Sequence, residues 1–176
     1  MRAPRGRAAG GQIMRKTIAL WVAALAVAAA SALATETPKQ AGPYDPTLDG
    51  VKQLEAAAQR AATGNRRLLV IVGGNWCKWC RALDGVVHDS AQLRDELAAH
   101  WEVVHLNWSK ENKNAPAMKR LGHPEELGFP AFVVASPKLE VLQRQETGRF
   151  EKVDADRLGY DTRSLLAVLK EWEPAK

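Results

Sequence analysis

Five consecutive apolar residues, Leu68-Leu69-Val70-Ile71-Val72, are broken by Gly73-Gly74-Asn75, and a segment with helical apolar spacing follows. A short, β-branched run of this kind reads as a buried strand, and Ala82, Leu83, Val86 and Val87 place a helix directly after it. The only two cysteines of the chain lie at this junction, in Trp76-Cys77-Lys78-Trp79-Cys80. Cys77 is therefore expected at the helix N-terminus, with Cys80 one turn further in. Unpaired N–H groups and the positive end of the helix dipole favour a thiolate at Cys77, and the thiolate is the species that attacks a disulfide. The expectation is an exposed, low-pKa Cys77 and a buried Cys80 that closes on it.

The chain opens with an address. Arg2, Arg5, Arg7, Arg15 and Lys16 precede an apolar stretch from Thr17 to Ala30, and Ala32-Leu33-Ala34 has the small-x-small form of a cleavage site. Residues 1–34 read as a signal peptide cut after Ala34, with Met14 an alternative start. An uncleaved membrane anchor is disfavoured, because the stretch is short and Ala-rich and ends in a good cleavage site. Export sends the protein to the periplasm or outside the cell, where a cysteine pair can cycle or persist as a disulfide.

Charge follows the same division. The net charge of +5 comes from 25 basic and 20 acidic residues, and five of the basic ones precede Ala34. The mature chain balances at 20 against 20, so its basic character gives no ground for nucleic-acid or anionic-membrane binding. Any membrane contact would run through the signal peptide alone. The remaining length suits one domain, which we expect to be monomeric.

Residues 35–46 are polar and Pro-rich and read as a flexible lead-in to a domain over 47–176. Val51, Leu54, Ala57, Ala58 and Ala61 trace a helix ended by Gly64-Asn65. After the cysteine helix, Ser90 caps another through Leu93, Leu97 and Ala98. Trp101–Leu106 is a strand, 107–114 a polar loop, 115–121 a short helix and Ala131–Ala135 a third strand. Ser136-Pro137-Lys138 turns into an antiparallel edge strand over 140–144. Leu158, Leu165, Leu166, Val168, Leu169 and Trp172 mark a closing helix.

This order, together with the Cys77-x-x-Cys80 segment after a strand and Gly128-Phe129-Pro130-Ala131-Phe132-Val133-Val134, resembles the thioredoxin superfamily. The resemblance implies an α/β, thioredoxin-like fold: a central mixed sheet flanked by helices. It implies that Phe129–Pro130 is the family's cis-proline segment, lying beside the cysteines and presenting backbone groups to an extended substrate. Two departures are visible. Thioredoxins have a buried Asp six residues before the first cysteine, where this chain has Ile71, and the dipeptide between the cysteines is Lys78-Trp79. The chain looks like an exported thioredoxin-like protein and not a housekeeping thioredoxin.

The expected activity is thiol–disulfide exchange with protein thiols and disulfides, and with a redox partner the residues do not name. Cys77 and Cys80 are the catalytic pair; Trp76, Lys78, Trp79, Phe129 and Pro130 form the substrate surface. Lys78 either favours the Cys77 thiolate or is simply a solvated side chain, since an exposed ammonium in water contributes little at this distance. No cofactor is expected and no metal, because zinc would need His88, His100, His105 or His123 to join the cysteines and none has finger-like spacing. A structural disulfide would be a poor staple, since it closes a two-residue loop. The rival from another class is a thioredoxin-fold binding or assembly protein that holds a client thiol or a metal ion; Met118 is too far along the chain to serve a copper site. Trp101, Trp108 and Trp172 read as packing residues, and Asp84 as a solvated helix charge.

Overall fold

The computed structural model describes residues 42–174 except 156. The signal peptide expected over 1–34 lies outside the described residues. In chain order the elements are α1 (Gly50–Thr63), β1 (Arg67–Gly73), α2 (Lys78–Asp89), α3 (Ala91–His100), β2 (Trp101–Asn107), α4 (Ala115–Arg120), β3 (Ala131–Ala135), β4 (Val141–Glu146), β5 (Glu151–Asp154), β6 (Arg157–Tyr160) and α5 (Thr162–Glu171). No described helix is long and apolar enough to cross a membrane.

The main sheet has the order β2-β1-β3-β4. β1 runs parallel to β2, with Arg67 opposite Trp101 and Gly73 opposite Asn107. β3 is antiparallel to β1, and β4 antiparallel to β3. This is the mixed sheet expected, with β4 on its edge.

Both faces of β1 are covered, which is why it reads as an unbroken apolar run and not an alternation. On one face Leu68, Val70 and Val72 join Val104, Leu106, Ala131 and Val133 against Leu54, Ala57, Ala58 and Ala61 of α1 and Met118 of α4. On the other, Leu69 and Ile71 join Phe132 and Val134 against Leu83 of α2, Leu93 and Leu97 of α3, and Leu165 and Leu169 of α5. Cys77 and Cys80 belong to this second layer.

The closing helix starts later than the apolar spacing suggests. Leu158 lies in β6, part of a β5–β6 hairpin, and Asp161 begins α5 by accepting from the Ser164 N–H at 2.8 Å. The described part of the lead-in also differs from expectation. Tyr44 is 1% exposed. Asn75 clamps its backbone from both sides, accepting from Tyr44 N–H at 3.2 Å and donating to Tyr44 C=O at 2.7 Å. Further along, Asn112 donates to the carbonyls of Pro46 and Leu48, and the Asn114 amide oxygen accepts from Gly50 N–H at 2.8 Å. The polar loop between β2 and α4 thus ties down the chain leading into α1.

Candidate active site

Parallel strands β1 and β2 end together, and α2 rises from the end of β1. Open α/β sheets form their crevices at such carboxyl ends. Cys77 is the N-cap of α2, in extended backbone conformation, and its sulfur accepts the Cys80 backbone N–H at 3.2 Å. A cysteine thus takes the place that Ser, Asp or Asn fills at most helix starts, and its sulfur meets the orphan donors of the first turn. Across the crevice, the Cys77 sulfur lies 3.5 Å from the Phe129 carbonyl, to which it donates when protonated. The Phe129–Pro130 peptide bond is cis, as the resemblance implied.

The electrostatics separate the two thiols. Cys77 is drawn down from 9.0 to about 6, first by the hydrogen bond from the Cys80 thiol, then by the backbone N–H groups of Cys80 and Trp79 and by the Arg81 cation; burial opposes them. Cys80 is pushed strongly upward, because its proton is the one held against Cys77 and because it is buried; the Gly74 backbone and the Tyr44 hydroxyl pull the other way. The pair shares one proton, which stays on Cys80.

Two expectations about these thiols need correction. Cys77 is 6% exposed, so it is a covered thiol and not an open one, packed in the second core layer under a partly buried Phe129. Lys78, at the exposed start of the helix, is not among the main influences on Cys77; the charge it affects is Glu151. Arg81 takes the role because it lies four residues after Cys77, one helical turn on and on the same face. Its guanidinium donates to the Asn75 carbonyl.

Around the cysteines the aromatic residues divide differently from expectation. Trp76 is 54% exposed. It stands edge-on to Phe129 at 5.4 Å between ring centroids, and its indole N–H donates to the Trp108 carbonyl at 2.8 Å. Trp108, read from sequence as a packing residue, lies against Phe129 at 4.9 Å and belongs to the rim of the site. The parallel register, which the local sequence does not show, carries the residue after Asn107 to the same end as Gly74. Trp79, by contrast, turns inward and packs edge-on to Tyr160 at 5.8 Å, so it forms a wall of the second layer more than an open contact surface.

Pro130 is buried, and Thr147 holds it from behind by donating its hydroxyl to the Pro130 carbonyl at 2.7 Å. Trp76 and Lys78 are exposed, and Phe129 is half-buried. Ile71 sits in the same packed layer as Cys80, in agreement with the departure noted in the sequence. Gly73 closes the floor: a Cβ there would stand 2.6 Å from the Cys80 sulfur and 2.9 Å from the Tyr44 hydroxyl oxygen, so only glycine lets both approach the strand. Neither Tyr44 nor Thr147 was singled out from the sequence.

Potential metal ligands gather elsewhere. Among the described residues Glu96, His100 and Glu173 form the one group of three, with no cysteine in it. His105 packs edge-on to Tyr44 at 5.3 Å, and burial lowers its pKa.

Comparison with known proteins agrees with this geometry. A family model described as thioredoxin-like matches residues 49–137. Among solved structures, a disulphide isomerase from Xylella fastidiosa Temecula1 is 29% identical, covering 60% of this chain and 80% of its own, with a TM-score of 0.56. A structure described as a DsbH oxidoreductase is 16% identical over 65% of this chain and 77% of its own, with a TM-score of 0.46. No curated protein sequence matches significantly. On the family match, which spans half the chain and includes the cysteine pair and the cis-proline segment, the protein belongs to the thioredoxin-like family.

Proposed function

We propose that this protein is an exported thiol–disulfide oxidoreductase that exchanges disulfides with protein substrates through Cys77 and Cys80. The observation that carries the reading is the Cys77 sulfur: it caps a helix, accepts the Cys80 N–H at 3.2 Å and lies 3.5 Å from the Phe129 carbonyl of the cis-proline loop. A thiolate held there is populated at neutral pH, while Cys80 keeps its proton until it is needed. Cys77 attacks a client disulfide, its sulfur bonds to one client sulfur, and the other leaves as a thiolate. Cys80 then attacks Cys77, the Cys77–Cys80 disulfide forms, and the second client sulfur is released. Run backward, the same steps donate a disulfide.

The rim of Trp76, Trp108 and Phe129 gives an apolar bed for an extended chain, and Lys113 stands over the Trp108 ring at 5.7 Å. The similarity to a disulphide isomerase and the signal-like residues 1–34 support work on exported proteins. Incubating Cys80→Ser with a reducible client protein tests the reading. It should accumulate a mixed disulfide through Cys77, whereas Cys77→Ser should not; equal trapping by both, or by neither, defeats it.

A further inference from the structure

Ile71 stands at the position where thioredoxins carry a buried Asp, so no carboxylate comes to Cys80 from there. The side chain that reaches Cys80 comes instead from the start of the domain. Tyr44 is 1% exposed, and its hydroxyl has no aligned hydrogen-bond partner among the described residues. Buried hydroxyls are rarely left so, and each one calls for an explanation. The hydroxyl and the Cys80 sulfur both stand over Gly73, close enough for each to act on the ionisation of the other. Asn75, two residues before Cys77, fixes the Tyr44 backbone on its N–H and its C=O, so the cysteine loop itself holds the tyrosine in position.

We propose that Tyr44 is the hydrogen-bond donor that stabilises the Cys80 thiolate as it forms in the resolving step. The proposal rests on the disulfide-exchange reading of the site. With Cys77 tied up in a mixed disulfide, Cys80 no longer shares its proton with the Cys77 thiolate. As Cys80 loses that proton, the Tyr44 O–H turns to the sulfur, and the unsatisfied donor gains its partner when negative charge appears. The Cys80 sulfur bonds to Cys77, the Cys77–client bond breaks, and the proton given up by Cys80 ends on the departing client sulfur. Tyr44 is not the proton acceptor. Burial and the neighbouring thiols, with Asp84, hold its own pKa well above 10.0, so it stays a donor throughout.

The other titratable groups facing this pocket are Cys77 and Asp84 of the α2 region, His105 on β2 and Tyr160 on β6. Each of them remains in place in the variants that test the role, apart from Cys77 where it is removed by design.

The test is a Cys80 titration followed by ¹³C NMR of the labelled cysteine Cβ. It uses Cys77→Ala, so that Cys80 is the single thiol, with Tyr44 intact or changed to Phe. Tyr44→Phe keeps the ring against His105 and removes the hydroxyl alone. The thiolate population at a given pH should drop at least about tenfold, the size of a hydrogen bond to a charged group. In the two-cysteine protein, Tyr44→Phe should slow release of the mixed disulfide about three- to fourfold, since the more basic thiolate that remains is a better nucleophile, and leave its formation by Cys77 unchanged. An unshifted Cys80 titration overturns the proposal. If Tyr44→Phe does not fold, fluorotyrosine at position 44 offers a more acidic donor: a downward shift of the Cys80 titration supports the role and no shift overturns it. The titration needs no client. A protein that exchanges no disulfides but keeps a Tyr44-dependent Cys80 titration would refute the function alone.

Discussion

Reduced protein alkylated with iodoacetamide across pH 5 to 9, then mapped by peptide, reads the Cys77 thiolate directly. The structure holds Cys77 at about 6 against an ordinary 9.0. At pH 7 about nine-tenths of it is thiolate, against about a hundredth of an ordinary cysteine, a gain of about ninetyfold. Part of that gain is returned. A weaker base is a poorer nucleophile, and with a Brønsted coefficient of about 0.4–0.5 a thiolate three pH units less basic reacts about 15- to 30-fold more slowly. The net advantage at pH 7 is only about three- to sixfold, but at pH 6 it grows to about 15- to 30-fold, because the ordinary thiol is then almost wholly protonated. The signature is thus the shape of the profile: half-maximal near pH 6, flat above about pH 7, with the label on Cys77. A Cys77 rate that keeps climbing through pH 8 to 9, or a label that falls first on Cys80, refutes the reasoning.

Further expectations separate the contributions to this state. Arg81→Glu should raise the Cys77 titration and lower the reduction potential of the pair, and Lys78→Glu should move both less; the reverse ranking, measured by the same alkylation profile, would return the role to Lys78. Asn75→Ala removes both hydrogen bonds to the Tyr44 backbone, and should cost about 1–3 kcal/mol in urea unfolding of the oxidised and the reduced protein alike.

The strand, the glycine break and the cysteine helix were legible because each is encoded over a few neighbouring residues. The segment around Pro130 was legible through its resemblance to a family motif. Features that depend on chain segments meeting were harder to read. Tyr44 lies in a Pro-rich stretch with no apolar period, and its burial depends on Asn75, which reads locally only as a strand breaker. Thr147 reaches Pro130 only because β4 returns along β3. Trp108 was placed in the core because aromatics usually pack there. The pairing of β1 with β2 sends it instead to the end of the sheet where the cysteines lie. Passing over Arg81 in favour of Lys78's immediate position is a miss of a different kind. Helical spacing favours the residue one turn on from Cys77 over its immediate neighbour, and that rule could have been applied to the sequence.

Equilibrating the Cys77–Cys80 pair with defined ratios of reduced and oxidised glutathione tests the central claim most directly. A stabilised Cys77 thiolate favours the dithiol, so the account predicts a reversible two-electron equilibrium with a potential above the value of about −270 mV for thioredoxin. A pair that stays reduced in excess oxidised glutathione, or that equilibrates at or below that potential, contradicts it.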